Sequence, residues 1–256
     1  MQSIDRSLLI RRLVRSAGLQ ALWNVYDRGM PVFVHTIDVV DLCIDRLARS
    51  PEINATVVVI AGLIHDLSKD TSTRDDGRSH SLLMRTDPRA AAEPSMALLS
   101  EIEQSTQVYL STIERAHVHH CVMTHHGLHG KLAPETQEAW LIAEFDEISG
   151  TRHRLAPIDA NNILPLLAQG YKWPEAAISL GVTRDLIKTR LRDATLAEGV
   201  RDWIDLMPIW QANGSVRGGT PERQANLARA KHAVQIAQAS PEYLIERLDS
   251  ITVVAN

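Results

Sequence analysis

Cysteine is almost missing from this 256-residue chain. The two that occur, Cys43 and Cys121, stand far apart and in no metal-type spacing. That excludes a cysteine-built zinc site and a disulfide framework, and it suits a reducing compartment such as the cytoplasm. Aromatic residues make up only 4%, and strand-like alternation is nearly absent, so there is little from which to build a sheet. No apolar run reaches the ~18 residues that a membrane span needs. The longest, Ala55 to Ile64, has the length of a buried core segment. The opening segment MQSIDRSLLIRRLVRSAG lacks the apolar core and small-residue cleavage site of a secretory signal. It reads as an ordinary first helix, with an Arg-rich presequence as the other reading. Charge of one sign is lacking too. A net charge of −4 excludes strong non-specific nucleic-acid binding as a whole-protein property, so any such contact must come from a local patch.

What is present is ordinary globular material, 45% hydrophobic and 23% charged. Most segments carry the helical period. Helices are expected near 5–17, 35–49, 53–66, 90–104, 106–124, 135–149, 159–169, 174–181, 184–197, 200–212, 221–238 and 241–249. ATVVVI at 55–60 is strand-like by propensity, but its continuation into AGLIHDL favours a buried helix. The fold class is therefore all-α. Two stretches read as long loops: Asp70 to Pro88, polar and placed to form a lid or rim, and Asn213 to Pro221. A boundary near 150–158 divides the chain into 1–152 and a helical extension, 153–256.

Histidine is abundant and uneven: eleven in all, six of them between His117 and His129. Four further residues fall on apolar helical faces. His35 opens a run striped by Ile37, Val40, Ile44 and Leu47. His65 and Asp66 close the buried run VVVIAGLIHDLSK. Asp146 sits among Leu141, Ile142, Phe145 and Ile148. Singly, such a histidine is ordinarily a satisfied core residue and such an aspartate a helix cap. Together they would bury unpaired imidazoles and carboxylates at high cost, which a shared cation removes.

His35, the pair His65-Asp66 followed by Lys69, and Asp146 resemble the H…HD…D signature of the HD superfamily of metal-dependent phosphohydrolases, over roughly residues 30–150. The stretch MTHHGLHGKLAPETQEAWLIAEFDEIS is similar to part of the HD-domain 3′–5′ exoribonucleases. It adds His125 and His126, which match the paired histidines of dinuclear members. In those members a further histidine precedes the pair; that place falls here on Glu93, in EPSMALL. The exonucleases' N-terminal nucleic-acid-binding barrel is missing.

The resemblance implies an HD-type helical bundle. His35, His65, Asp66 and Asp146 would hold a first metal, and Asp66, His125, His126 and Glu93 a second. A His/carboxylate set without thiolate suits Mn, Fe, Co, Ni or Zn, as one ion or two. The implied activity is hydrolysis of a phosphomonoester or phosphodiester of a nucleotide, a dinucleotide or a nucleic-acid end by metal-activated water. Asp66 and Lys69 would be its catalytic residues. Lys69 can bind phosphate as a point charge, or else stand as a solvated helix end. His120 and His129 are candidates to contact substrate, with surface or supporting roles left open. An HD-fold mixed-valence di-iron oxygenase is the alternative within the fold.

Residues 173–192, WPEAAISLGVTRDLIKTRLR, place Ala177, Gly181 and Ile187 at helix-turn-helix spacing and resemble that DNA-binding element. Arg184, Lys188, Arg190 and Arg192 would then face DNA phosphates. That makes a DNA-binding regulator on an HD scaffold a third reading, beside a hairpin that only packs. The amphipathic run 221–239 reads as core or as a homo-oligomer face.

Overall fold

The computed structural model describes residues 5–27, 30–70, 78–154, 158–217 and 221–254. Among them are fourteen α-helices and a single pair of two-residue strands. They form two units: residues 1–25, 32–149 and 235–256, and residues 26–31 with 150–234. The expected single C-terminal region does not hold together, because the last helix belongs with the first unit.

The first unit is built around α3 (Val32–Leu47) and α4 (Ala55–Ile64), which pack on each other, with α7 (Thr112–Thr124) against α4. The β-branched run 55–60 is helical. Every residue from Val57 to Ile64 is buried, and a helix apolar on all sides belongs inside a protein, whatever its propensity. Asn54 starts it by accepting the amide N–H groups of Thr56 and Val57 at 3.0 and 3.2 Å. At its far end Ser95, on α6 (Pro88–Thr106), donates to the carbonyl of Ile64 at 2.5 Å. α1 (Arg6–Val14) and α14 (Glu242–Val254) complete the unit. Glu242 accepts Arg11 at 2.6 Å and Arg15 at 2.7 Å, and Tyr243 donates to Asp41 at 2.8 Å.

α3 and α4 meet closely because residue 62 is glycine. A Cβ there would lie 2.9 Å from a methyl of Val40. Overpacking of a stiff β-branched neighbour costs about 1–3 kcal/mol, against ~1 kcal/mol gained from better helix propensity. Gly62→Ala is expected to lower stability by about 1 kcal/mol net, read as a lower Tm or denaturant midpoint; an unchanged midpoint would contradict the close approach.

Two elements depart from the sequence reading. A short helix, α2 (Ala17–Ala21), follows α1. More consequentially, the expected loop 70–88 contains α5 (His80–Thr86), capped by Ser79 and burying His80, Leu83 and Met84. Residues 71–77 of that loop lie outside the described residues.

The second unit packs α9 (Ala160–Ala168), α10 (Trp173–Leu180), α11 (Arg184–Glu198) and α12 (Leu206–Asn213) around Ile163, Leu164, Ala177, Ile187, Leu191 and Leu206. Gly181 ends α10 with φ +65°, a backbone state that costs glycine nothing. The strands β1 (Tyr26–Asp27) and β2 (Met30–Pro31) pair antiparallel within this unit. Arg184, Lys188 and Arg192 lie exposed on α11. Arg190 does not. It is fully buried, and its Nε donates to the carbonyl of Ile158 at 3.0 Å. It shares the inward stripe of Leu186, Ile187, Leu191 and Ala194, so it is withdrawn from the phosphate-facing set.

Candidate metal centre

Five elements of the first unit converge on one buried region. α3 supplies His35 near its start. The end of α4 supplies His65 and Asp66, which lead into a 3-10 turn, Leu67–Lys69. α5 supplies His80, the end of α7 His125 and His126, and α8 (Gln137–Arg154) Asp146.

The side chains fall into two clusters, His35/His65/Asp66/Asp146 and His80/His125/His126, each with its ligand atoms within 4.8 Å of one another. In the first, His35 Nε2 lies 2.8 Å from Asp146 Oδ1 and 3.4 Å from Asp66 Oδ2, and His65 Nε2 lies 3.3 Å from that same Oδ2. In the second, His80 Nε2 lies 3.2 Å from Nε2 of both His125 and His126. Asp66 joins the two: its other oxygen, Oδ1, is 3.3 Å from His80 Nε2 and 3.6 Å from His125 Nε2. One fully buried carboxylate thus turns one oxygen to each cluster.

The imidazoles are held from behind. His65 Nδ1 donates to the Gly62 carbonyl at 2.8 Å and His125 Nδ1 to the Val122 carbonyl at 2.7 Å. A carbonyl only accepts, so the proton sits on Nδ1 and Nε2 points inward. His35 and His80 are backed instead by the hydroxyls of Ser149 and Ser68, at 3.0 and 2.7 Å.

These donors fit a cation. Asp66 Oδ1 is buried without a hydrogen bond, and His65 Nε2 meets carboxylate oxygens only at 3.3 Å or more, a costly state unless a cation satisfies them. The protein's own positive charge partly fills the role. Lys69 Nζ lies 2.7 Å from Asp66 Oδ2. Burial would raise the Asp66 carboxyl, but Lys69 and His65 outweigh it and hold it well below the carboxylate range. Asp146 is held down against burial by His35, whose Nε2 lies 2.8 Å away, and by His65 at 3.7 Å. Burial would lower His65, yet Asp66 and Asp146 raise it to about 10. A divalent cation at Nε2 would displace that proton.

The second cluster behaves oppositely. Burial, with neighbouring His125, depresses His126 to about 4, and burial holds His80 well below its ordinary value of 6.5. Both are neutral at pH 7, with lone pairs available to a metal. The unfolded chain takes up these protons as pH falls below 6.5; folded His126 refuses its proton until about 4, and folded His80, held well below 6.5, likewise refuses its own, so stability drains as pH falls from 6.5. Asp66 and Asp146, held low, contribute their losses only at lower pH. Melting of chelator-treated protein between pH 7 and 4 is expected to show a falling Tm, and a shallower fall in a His80→Gln/His126→Gln variant. Identical slopes in the two proteins would contradict it.

The sequence reading missed His80 and put Glu93 in its place. Glu93 is exposed on α6 and belongs to neither cluster. The buried stripe of that helix is Ala91, Ala92, Ser95, Leu98, Leu99 and Ile102, and residue 93 lies off it. His120 is half-buried and its Nε2 accepts the backbone N–H of Glu135 at 3.0 Å; His129 is exposed. Neither joins a cluster.

Residues 32–151, the span from α3 to α8 that holds every member of both clusters, match the HD domain family. Among curated proteins and solved structures none matches the chain.

Proposed function

We propose that the HD domain at residues 32–151 is a phosphohydrolase working with two divalent transition-metal ions. His35, His65, Asp66 and Asp146 would hold one, and Asp66, His80, His125 and His126 the other. The observation that carries this reading is the division of Asp66, one oxygen toward each buried cluster. A His/carboxylate set of this kind suits Mn, Fe, Co, Ni or Zn.

Divalent ions here supply Lewis acidity toward a phosphoryl oxygen and a water acidified into the neutral range. The chain's own residues do the rest. The backing hydrogen bonds keep the histidine Nε2 atoms aimed inward before any ligand arrives, so little reorganisation is left for the reaction. Lys69, 16% exposed, reaches the fully buried Asp66 with its ammonium 2.7 Å from Oδ2. Its flexible ammonium can leave the Asp66 oxygen for a phosphate oxygen of the substrate, as a compact point charge. The substrates this suits are phosphomonoesters or phosphodiesters of nucleotides, dinucleotides or nucleic-acid ends.

The test is metal content of untagged protein by plasma mass spectrometry, beside hydrolysis of a panel of such esters. Close to two ions per chain with metal-dependent phosphate release supports the reading. About one ion restricts it to the first cluster. No ion after reconstitution, or loaded protein inert on every ester, overturns it.

A further inference from the structure

The geometry points to Ser149 and Asp38 as positioning residues that fix the tautomer and orientation of His35 for the first metal site. Nothing in the H…HD…D pattern or the family match assigns either residue a role. The inference rests on the metal-binding reading above.

The direction of one hydrogen bond decides the tautomer. Ser149 Oγ lies 2.6 Å from Asp38 Oδ2 and 3.0 Å from His35 Nδ1. A carboxylate only accepts, so the single hydroxyl hydrogen goes to Asp38. The serine oxygen is left with lone pairs, and His35 must donate to it through Nδ1–H. The Nδ1 proton of His35 is therefore held at the rear of the ring. The proton at Nε2, which here goes to Asp146 Oδ1 at 2.8 Å, is the one a cation would displace, with Asp66 3.4 Å away. Asp38 is 4% exposed, Ser149 not at all and His35 5%, so water does not compete for these bonds. Buried negative charge behind the ring also makes Nε2 a stronger donor to metal, as a carboxylate does behind other metal-bound histidines.

The second cluster offers an internal contrast. Ser68 stands in the same relation to His80, with Oγ 2.7 Å from Nδ1. Among the described residues no carboxylate takes the Ser68 hydrogen. That hydroxyl can donate to Nδ1 or accept from it, so His80 is not locked into one tautomer. The two otherwise similar serines are distinguished by Asp38.

The consequence is a difference in preorganisation between the sites, and it can be read without turnover. Cobalt(II) is titrated into chelator-treated full-length protein, following its visible absorption, for wild type, Ser149→Ala, Ser149→Thr and Asp38→Asn. Losing an orienting partner of this kind weakens metal affinity by about 10–100-fold. Ser149→Ala and Asp38→Asn are expected to weaken the tighter cobalt step by that factor and leave the other step unchanged. Ser149→Thr, which keeps the hydroxyl, is expected to restore affinity. If Ser149→Ala does not fold, the near-isosteric Asp38→Asn decides. Folded variants that bind within about twofold of wild type would overturn the inference, and so would equal weakening of both steps, which marks a merely structural role. Wild type that takes up no cobalt would instead defeat the metal-binding reading beneath it.

Discussion

Asp66→Ala is expected to empty both metal positions at once and to abolish hydrolysis while the helices remain. Among the described residues no other side chain turns an atom to each cluster: Oδ2 faces His35 and His65, and Oδ1 faces His80 and His125. Without it the second cluster is three imidazoles with no anion, and the first retains one carboxylate, Asp146. Loss of preorganised charge at a reacting centre costs about 10²–10³-fold for a single donor, so the loss of two metal sites should exceed ~10³-fold in kcat/KM. Stability changes as well. Lys69 loses the oxygen 2.7 Å from its ammonium, and breaking a buried ion pair from one side costs about 3–5 kcal/mol. At 16% exposure Lys69 can turn to water, which places the cost at or below the bottom of that range. Circular dichroism, metal analysis and phosphate release measured together check all three. Full retained activity would sink the assignment.

His80→Ala should remove one ion and Glu93→Ala none. His80 Nε2 stands 3.2 Å from each partner histidine in the second cluster and 3.3 Å from Asp66 Oδ1. Its one contact with the first cluster is Asp66 Oδ1, the oxygen turned away from His35 and His65, so that cluster should keep its metal. The expected reading is close to one ion per chain in His80→Ala, against two in wild type and in Glu93→Ala. The alanine also leaves a hole beside Leu83 and Met84, the other buried residues of α5. His80→Gln fills most of that space and separates metal loss from collapse of the helix. Two ions retained in both His80 variants would show that the second cluster does not depend on this ring.

His80 also shows where sequence reading reached its limit. His35, His65, Asp66 and Asp146 were legible because each interrupts a long apolar stripe, and a polar group at an inward helical position is conspicuous. His80 lies instead in a polar stretch between turn residues, in a helix of seven residues whose apolar signal is Leu83 and Met84 alone. The signal existed: Ser79 is a good N-cap, and His80, Leu83 and Met84 fall at i, i+3 and i+4, one helical face. Matching by distance along the chain led to Glu93, yet Glu93 is off the buried stripe of its helix. Arg190 was misjudged for a related reason. Charge along α11 does not say which face each residue occupies, and position 190 follows Leu186 and Ile187 inward. By contrast, the β-branched run 55–60 was read correctly as helix, because its length and apolar continuation outweighed propensity.

The first unit is closed by residues that lie beyond the second in the chain. Glu242 ties down Arg11 and Arg15 across more than two hundred positions, Tyr243 reaches Asp41, and Arg247 pairs with Asp45. On the ribosome, the site-bearing helices emerge early and must wait for residues 150–234 before α14 can dock. At ordinary elongation rates that wait is on the order of ten seconds. Throughout it, the face of α3 bearing Asp41 and Asp45 lacks its covering helix. A nascent chain stalled within that interval would carry the two histidine clusters on a scaffold still missing α14.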